Sequence, residues 1–161
     1  MSTRAASKVV DTPLTENGNI TKISCRIAND QSGNKLTLAR AIVFTDSAGS
    51  PDTCLGFSDE VSVSAGASVA WVDFGFGTPL AITAGTYWLG IHWNSNADGI
   101  AMYGANVSGA LSYYADAYPP VASEAFGAAS TAAARFAAIA TYTPGGATGF
   151  VGMVVTRELR G

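Results

Sequence analysis

Ala84-Gly85-Thr86-Tyr87-Trp88-Leu89-Gly90-Ile91-His92-Trp93-Asn94 is the stretch on which the fold turns. An extended chain points successive side chains to opposite faces, so this stretch has two unlike sides. Tyr87, Leu89, Ile91 and Trp93 share one side and form a core face. Thr86, Trp88, Gly90, His92 and Asn94 share the other, where a large aromatic and the single histidine stand among small and polar residues. The pattern predicts a central strand of an all-β protein.

Similar patterns recur on both sides of it, separated by Gly, Asn, Asp and Pro clusters, as in sandwiches and barrels. Asn17-Gly18 opens a strand in which Ile23, Cys25 and Ile27 alternate with Lys22, Ser24 and Arg26. Asn29 to Asn34 is a loop by its turn chemistry. Leu36 to Phe44 is a long strand with apolar residues on both faces, as the middle of a sandwich requires. Shorter strands follow at Leu55–Ser58 and Glu60–Ser64, then Val69–Phe76, which includes Trp71. Trp71, or its neighbours Val72 and Phe74, is expected in the core. Asp98-Gly99 is a hairpin signal leading into Ile100–Tyr103, with Leu111–Ala115 beyond. Ser130 to Tyr142 is rich in alanine, which favours helix, yet its alternation favours a strand. The strand is the preferred reading.

The expected architecture is therefore all-β, an antiparallel β-sandwich of about eight strands. The sandwich should occupy residues 14–144, with residues 1–13 as an N-terminal arm and residues 145–161 as a C-terminal strand or tail.

The 161 residues suit one domain with a real core. Only 13% are charged, against about 25% in ordinary soluble domains. Such a surface suits a protein packed against partners or displayed outside a cell, although a GC-rich genome also raises Ala and Gly. The net charge of −3 and the scattered basic residues argue against nucleic acid. No apolar h-region follows Met1, so no secretory route is expected, and no apolar run approaches a membrane span. Cys25 and Cys54 read as reduced, buried residues, with a disulfide open if their strands are neighbours.

The order of motifs resembles a jelly-roll-like β-sandwich module of phage virion proteins and some bacterial surface proteins. The matching pieces are Ala41-Ile42-Val43-Phe44-Thr45-Asp46 with Gly49 and Pro51, then Trp71-Val72-Asp73-Phe74, then Ala84 to Leu89, then Ala140-Thr141-Tyr142-Thr143-Pro144. The resemblance implies a non-enzymatic virion component made in the host cytoplasm, most readily a capsid decoration protein on the exterior. It implies the major capsid protein as partner and a homo-trimer as the assembled state. Attachment would fall to the terminal segments, through Arg4, Val9 and Val10 at one end and Phe150, Val151, Met153 and Val155 at the other.

The rival reading is a glycan-binding or host-recognition module, of tail or head fibre type, using Trp88, His92 and Asn94. Sugar C–H faces pack on aromatic surfaces, and Gly90 leaves room beside Trp88. The same face would equally serve burial within the subunit or an assembly interface. Catalysis is not expected, because every histidine-based triad would have to use His92 and no Gly-x-Ser-x-Gly elbow is present. No cofactor is expected. Calcium is the one metal the acidic loops suggest, at Asp46 and Asp59 or at Asn29, Asp30 and Asn34. The Asn19-Ile20-Thr21 and Asn106-Val107-Ser108 sequons carry little weight without secretion.

Overall fold

The computed structural model describes residues 2–8, 14–29, 36–94, 100–105, 111–116, 118–128, 130–132 and 135–145. Among these every regular element is a strand: β1 (Ser2–Lys8), β2 (Gly18–Asn29), β3 (Leu36–Ser47), β4 (Ser50–Phe57), β5 (Val61–Ser64), β6 (Ala70–Ile82), β7 (Tyr87–Trp93), β8 (Ile100–Met102), β9 (Gly104–Ala105), β10 (Leu111–Asp116), β11 (Ser130–Ala132), β12 (Arg135–Phe136) and β13 (Ala138–Pro144). Eight of these have six residues or more, which matches the number read from the sequence. The alanine-rich stretch from residue 130 to Tyr142 is strand at every described residue except Ala137, so side-chain alternation outweighs helix propensity there.

The strands form two antiparallel layers. The large sheet runs β11-β10-β1-β7-β3-β4, with β5 pairing the first residues of β3. The small sheet runs β13-β2-β6, with β8 on the last residues of β2. A short β9–β12 ribbon stands apart. Between β1 and β8 the chain changes layer five times, which is the wiring of a sandwich rather than of a meander.

The interlayer core joins Ala39, Ala41 and Val43 of β3 and Tyr87, Leu89, Ile91 and Trp93 of β7 to Ile20, Ile23, Cys25 and Ile27 of β2 and Phe74 and Phe76 of β6. The face assignment of β7 made from sequence therefore holds. Phe74 and Phe76, not Trp71, are the β6 aromatics in the core, and Trp71 points outward. Two of the buried side chains that carry polar atoms are hydrogen-bonded to backbone carbonyls. The Tyr87 hydroxyl donates to the Thr83 carbonyl (2.7 Å), and the Asn29 amide donates to the Val63 carbonyl (2.8 Å).

Residues 2–8 are not an arm. They lie between β7 and β10, with Thr3 to Lys8 registered against Trp93 to Trp88. Small residues such as Ala5, Ala6 and Ser7 are neutral enough to read as linker, yet they suit a strand flanked on both sides. The Asp98-Gly99 hairpin is also corrected. Both residues lie outside those described, but β7 belongs to the large sheet and β8 pairs β2 of the small one, so the connection crosses layers. β6 runs through Pro79. There β6 is an edge strand and its register against β2 slips: Thr21 alone faces the four residues between Gly75 and Leu80. A bulge on an edge tolerates the missing proline N–H.

Gly18 marks the closest approach of β2 to β13. A Cβ there would stand 2.6 Å from the Thr143 carbonyl oxygen and 2.7 Å from the Tyr142 ring. Because one obstacle is backbone, Gly18→Ala should destabilise by about 1–3 kcal/mol, the usual range for overpacking. A melting curve indistinguishable from wild type would show that β13 shifts freely.

Cys25 lies in the interlayer core and Cys54 in a second cluster outside the large sheet; both are free thiols. Burial pushes the Cys25 thiol from 9.0 up to about 12. The folded state thus favours the protonated thiol, and this contribution to stability is lost as pH rises from about 9 towards 12. At pH 8 iodoacetamide should leave both thiols unmodified in the folded protein and label both in denaturant, read by mass spectrometry.

Candidate functional site

The Trp88–His92 face is covered within the chain itself. Residues 118–128 cross it as a strap, tied to β4 by backbone bonds from Cys54 N–H to the Glu124 carbonyl (2.8 Å), Ser123 N–H to the Cys54 carbonyl (2.8 Å) and Phe126 N–H to the Asp52 carbonyl (2.6 Å). Phe126 inserts beneath the strap and meets Phe44 edge-on, with centroids 5.0 Å apart. Together with Ile42, Cys54 and Trp88 these rings form the second apolar cluster.

Trp88 is 1% exposed and His92 0%. The indole N–H of Trp88 donates to Asp46 Oδ1 at 2.7 Å. His92 lies under Tyr118, ring centroids 5.2 Å apart. Asn94 is exposed, but its side-chain oxygen accepts from the Leu38 N–H and its own N–H donates to the Leu38 carbonyl, so it closes the β3–β7 ladder. These three residues therefore do not present an open stacking platform. Of the roles read for them, burial within the subunit is the one seen for Trp88 and His92. Nothing in the strap's sequence, Tyr118-Pro119-Pro120-Val121-Ala122-Ser123-Glu124-Ala125-Phe126, has strand periodicity, and no local signal says where a loop will lie.

At the strap's edge Tyr118 donates to Glu60 (2.8 Å), Glu60 approaches Arg40 (3.8 Å), and Arg40 donates to the Ser58 carbonyl (2.9 Å). Desolvation, then the Glu60 carboxylate, raises the Tyr118 phenol above its ordinary value.

The acidic loops have structural work. Ala48 and Gly49, at φ of 51° and 83°, make the two-residue turn between β3 and β4. Asp46 Oδ2 accepts from Gly49 N–H (3.2 Å) while Oδ1 takes the Trp88 bond, so Asp46 ties the turn to the second cluster. Asn29 is buried and holds Thr37 and Val63; Asp30 and Asn34 lie outside the described residues. Among the described residues no group of three or more acidic, His or Cys side chains is placed to hold a metal.

Of the residues expected to mediate attachment, Arg4 sits in β1 at the register position beside His92. Val9, Val10, Phe150, Val151, Met153 and Val155 lie outside the described residues.

Among the described residues, the outward face of the small sheet carries exposed large side chains. Cross-strand register sets Arg26 beside Trp71, Ser24 beside Asp73 and Lys22 beside Gly75. Tyr103 joins the first row through its N–H, which donates to the Arg26 carbonyl at 3.0 Å. Trp71 is 49% exposed and Tyr103 38%. Lys22 pairs with Asp73 at 2.8 Å, and Ser24 donates to the same carboxylate. The Lys22 hydrogen bond, then that of Ser24, holds the Asp73 carboxyl below its ordinary range. The signal for this face was present in the sequence: Trp71, Asp73 and Gly75 alternate with Val72, Phe74 and Phe76. The size of the indole kept Trp71 beside Val72 and Phe74 as a candidate for the core, and parity alone separates it from them.

Comparison with known proteins gave no match: no family model, no curated protein and no solved structure matches this chain.

Proposed function

We propose that the chain is a non-enzymatic phage structural protein that decorates the exterior of a capsid by docking on the major capsid protein. The observation that carries the non-enzymatic part is the burial of His92, the chain's single histidine, at 0% exposure beneath Tyr118. A histidine-based mechanism needs the imidazole within hydrogen-bond reach of a substrate, and here a strap lies between them. The capsid part rests on the order of sequence motifs and on a surface poor in charge, which lowers the desolvation cost of assembly. A homo-trimer belongs to the same proposal.

With residues 2–8 taken into the sheet, attachment falls to the remaining surface and to residues 146–161. The test is co-sedimentation with empty capsids, run beside a variant lacking residues 148–161. The proposal expects saturable binding by the full chain, and reduced occupancy by the shortened one with an unchanged melting transition. No binding by the full chain to capsids of the virus that encodes it overturns the reading. Full occupancy by a well-folded shortened chain moves attachment to the body.

A further inference from the structure

An isolated exposed aromatic is ordinary on a protein surface. Trp71 differs in its surroundings. It stands on a flat antiparallel face beside a row of polar groups already held in position. Asp73 is fixed from two sides by Lys22 and Ser24. Arg26, in register with Trp71, is exposed and makes no ion pair with any described residue. Lys22 is neutralised by Asp73, so these two cations and one carboxylate leave one positive charge, on Arg26, in a chain whose net charge is −3. A Cβ at Gly75 would meet nothing within 4 Å, so the face is open beyond Asp73.

This arrangement selects among ligand classes. A protein interface wants a contiguous apolar centre, and here the large rings, Trp71 and Tyr103, flank a charge. Nucleic acid wants several free cations, and this face supplies one. A sugar ring needs an aromatic surface for its C–H face and fixed donors and acceptors for its hydroxyls. Trp71 offers the first and the Asp73–Ser24–Lys22 group the second. The cross-strand spacing of about 5 Å makes Arg26 and Trp71 side-chain neighbours, so the guanidinium is within reach of a ring stacked on the indole. An unpaired guanidinium there favours a carboxylate, which it can hold with two parallel bonds.

We propose that the outward face of the small sheet binds a carboxylated saccharide, its ring stacked on Trp71 and its carboxylate held by Arg26. The site goes beyond the capsid reading and is tested on the isolated chain, so either can fail alone.

The experiment is a glycan array of uronate- and sialate-containing oligosaccharides, each with its neutral counterpart, probed with wild type, Trp71→Ala and Arg26→Gln. Wild type should prefer carboxylated members. Trp71→Ala should lose about tenfold or more in affinity. Arg26→Gln should bind acidic and neutral counterparts alike. A readout without mutation accompanies it. Trp88 and Trp93 are buried, so acrylamide quenching reports mainly on Trp71, and a bound saccharide should protect it. The proposal is overturned if no carboxylated saccharide exceeds its neutral counterpart, or if saturating saccharide leaves quenching unchanged. It is also overturned if Trp71→Ala abolishes self-association or capsid binding while glycan signals persist, which would make the face a protein interface.

Discussion

Phe126→Ala is expected to lower stability by about 3–5 kcal/mol, the range for deleting a buried aromatic. Phe126 is the strap's buried aromatic anchor, packed edge-on against Phe44 in the cluster with Ile42, Cys54 and Trp88. Its loss removes that contact and leaves a cavity over β3 and β7 that the backbone bonds at Cys54 and Asp52 keep from closing. The loss should be local as well as global. Trp88 should become accessible to acrylamide, and Cys54 should react with iodoacetamide while Cys25, in the other cluster, stays protected. Chemical denaturation and mass spectrometry check both. A variant with wild-type stability and an unreactive Cys54 would show that the strap is held without Phe126.

Deleting residues 1–8 should abolish cooperative folding. β1 pairs with β7 on one side and β10 on the other, so its removal strands two ladders at the middle of the large sheet. At roughly 1 kcal/mol net for each lost hydrogen bond, the loss approaches the whole 5–15 kcal/mol of a typical domain. Circular dichroism should show no sigmoidal thermal transition. A peptide of residues 1–10 added in trans should restore one, because the vacated slot accepts a strand through main-chain bonds. A shortened chain that melts like wild type would return residues 1–8 to the role of an arm.

The two faces of β7 were legible because alternation is a local property. Tyr87, Leu89, Ile91 and Trp93 face the core wherever that strand is placed, and the same reasoning identified Ile23, Cys25 and Ile27 of β2. The all-β class and the number of substantial strands follow from repeating that local pattern. Alternation also held against the helix preference of the alanines between Ala138 and Thr143, which pair with β2.

Local pattern says which side of a strand is apolar, but not what lies against its other side. For Trp88 and His92 local pattern left burial, an interface and glycan stacking open, because the strap that seals them comes from residues 118–128 and carries no periodicity. Likewise, β1 reads as linker until β7 and β10 stand on either side of it, and Ile100 follows a hairpin signal yet pairs with Asn29 of the other layer. Local pattern left Trp71 and its neighbours Val72 and Phe74 as alternatives for the core of β6, and the fold placed Phe74 there and Trp71 outside. The sequence by itself determined most of the strands and their inward faces, β1 excepted, since these depend on residues two apart. Only the tertiary structure decided which outward faces are covered, because covering depends on segments tens of residues away whose positions no local preference encodes.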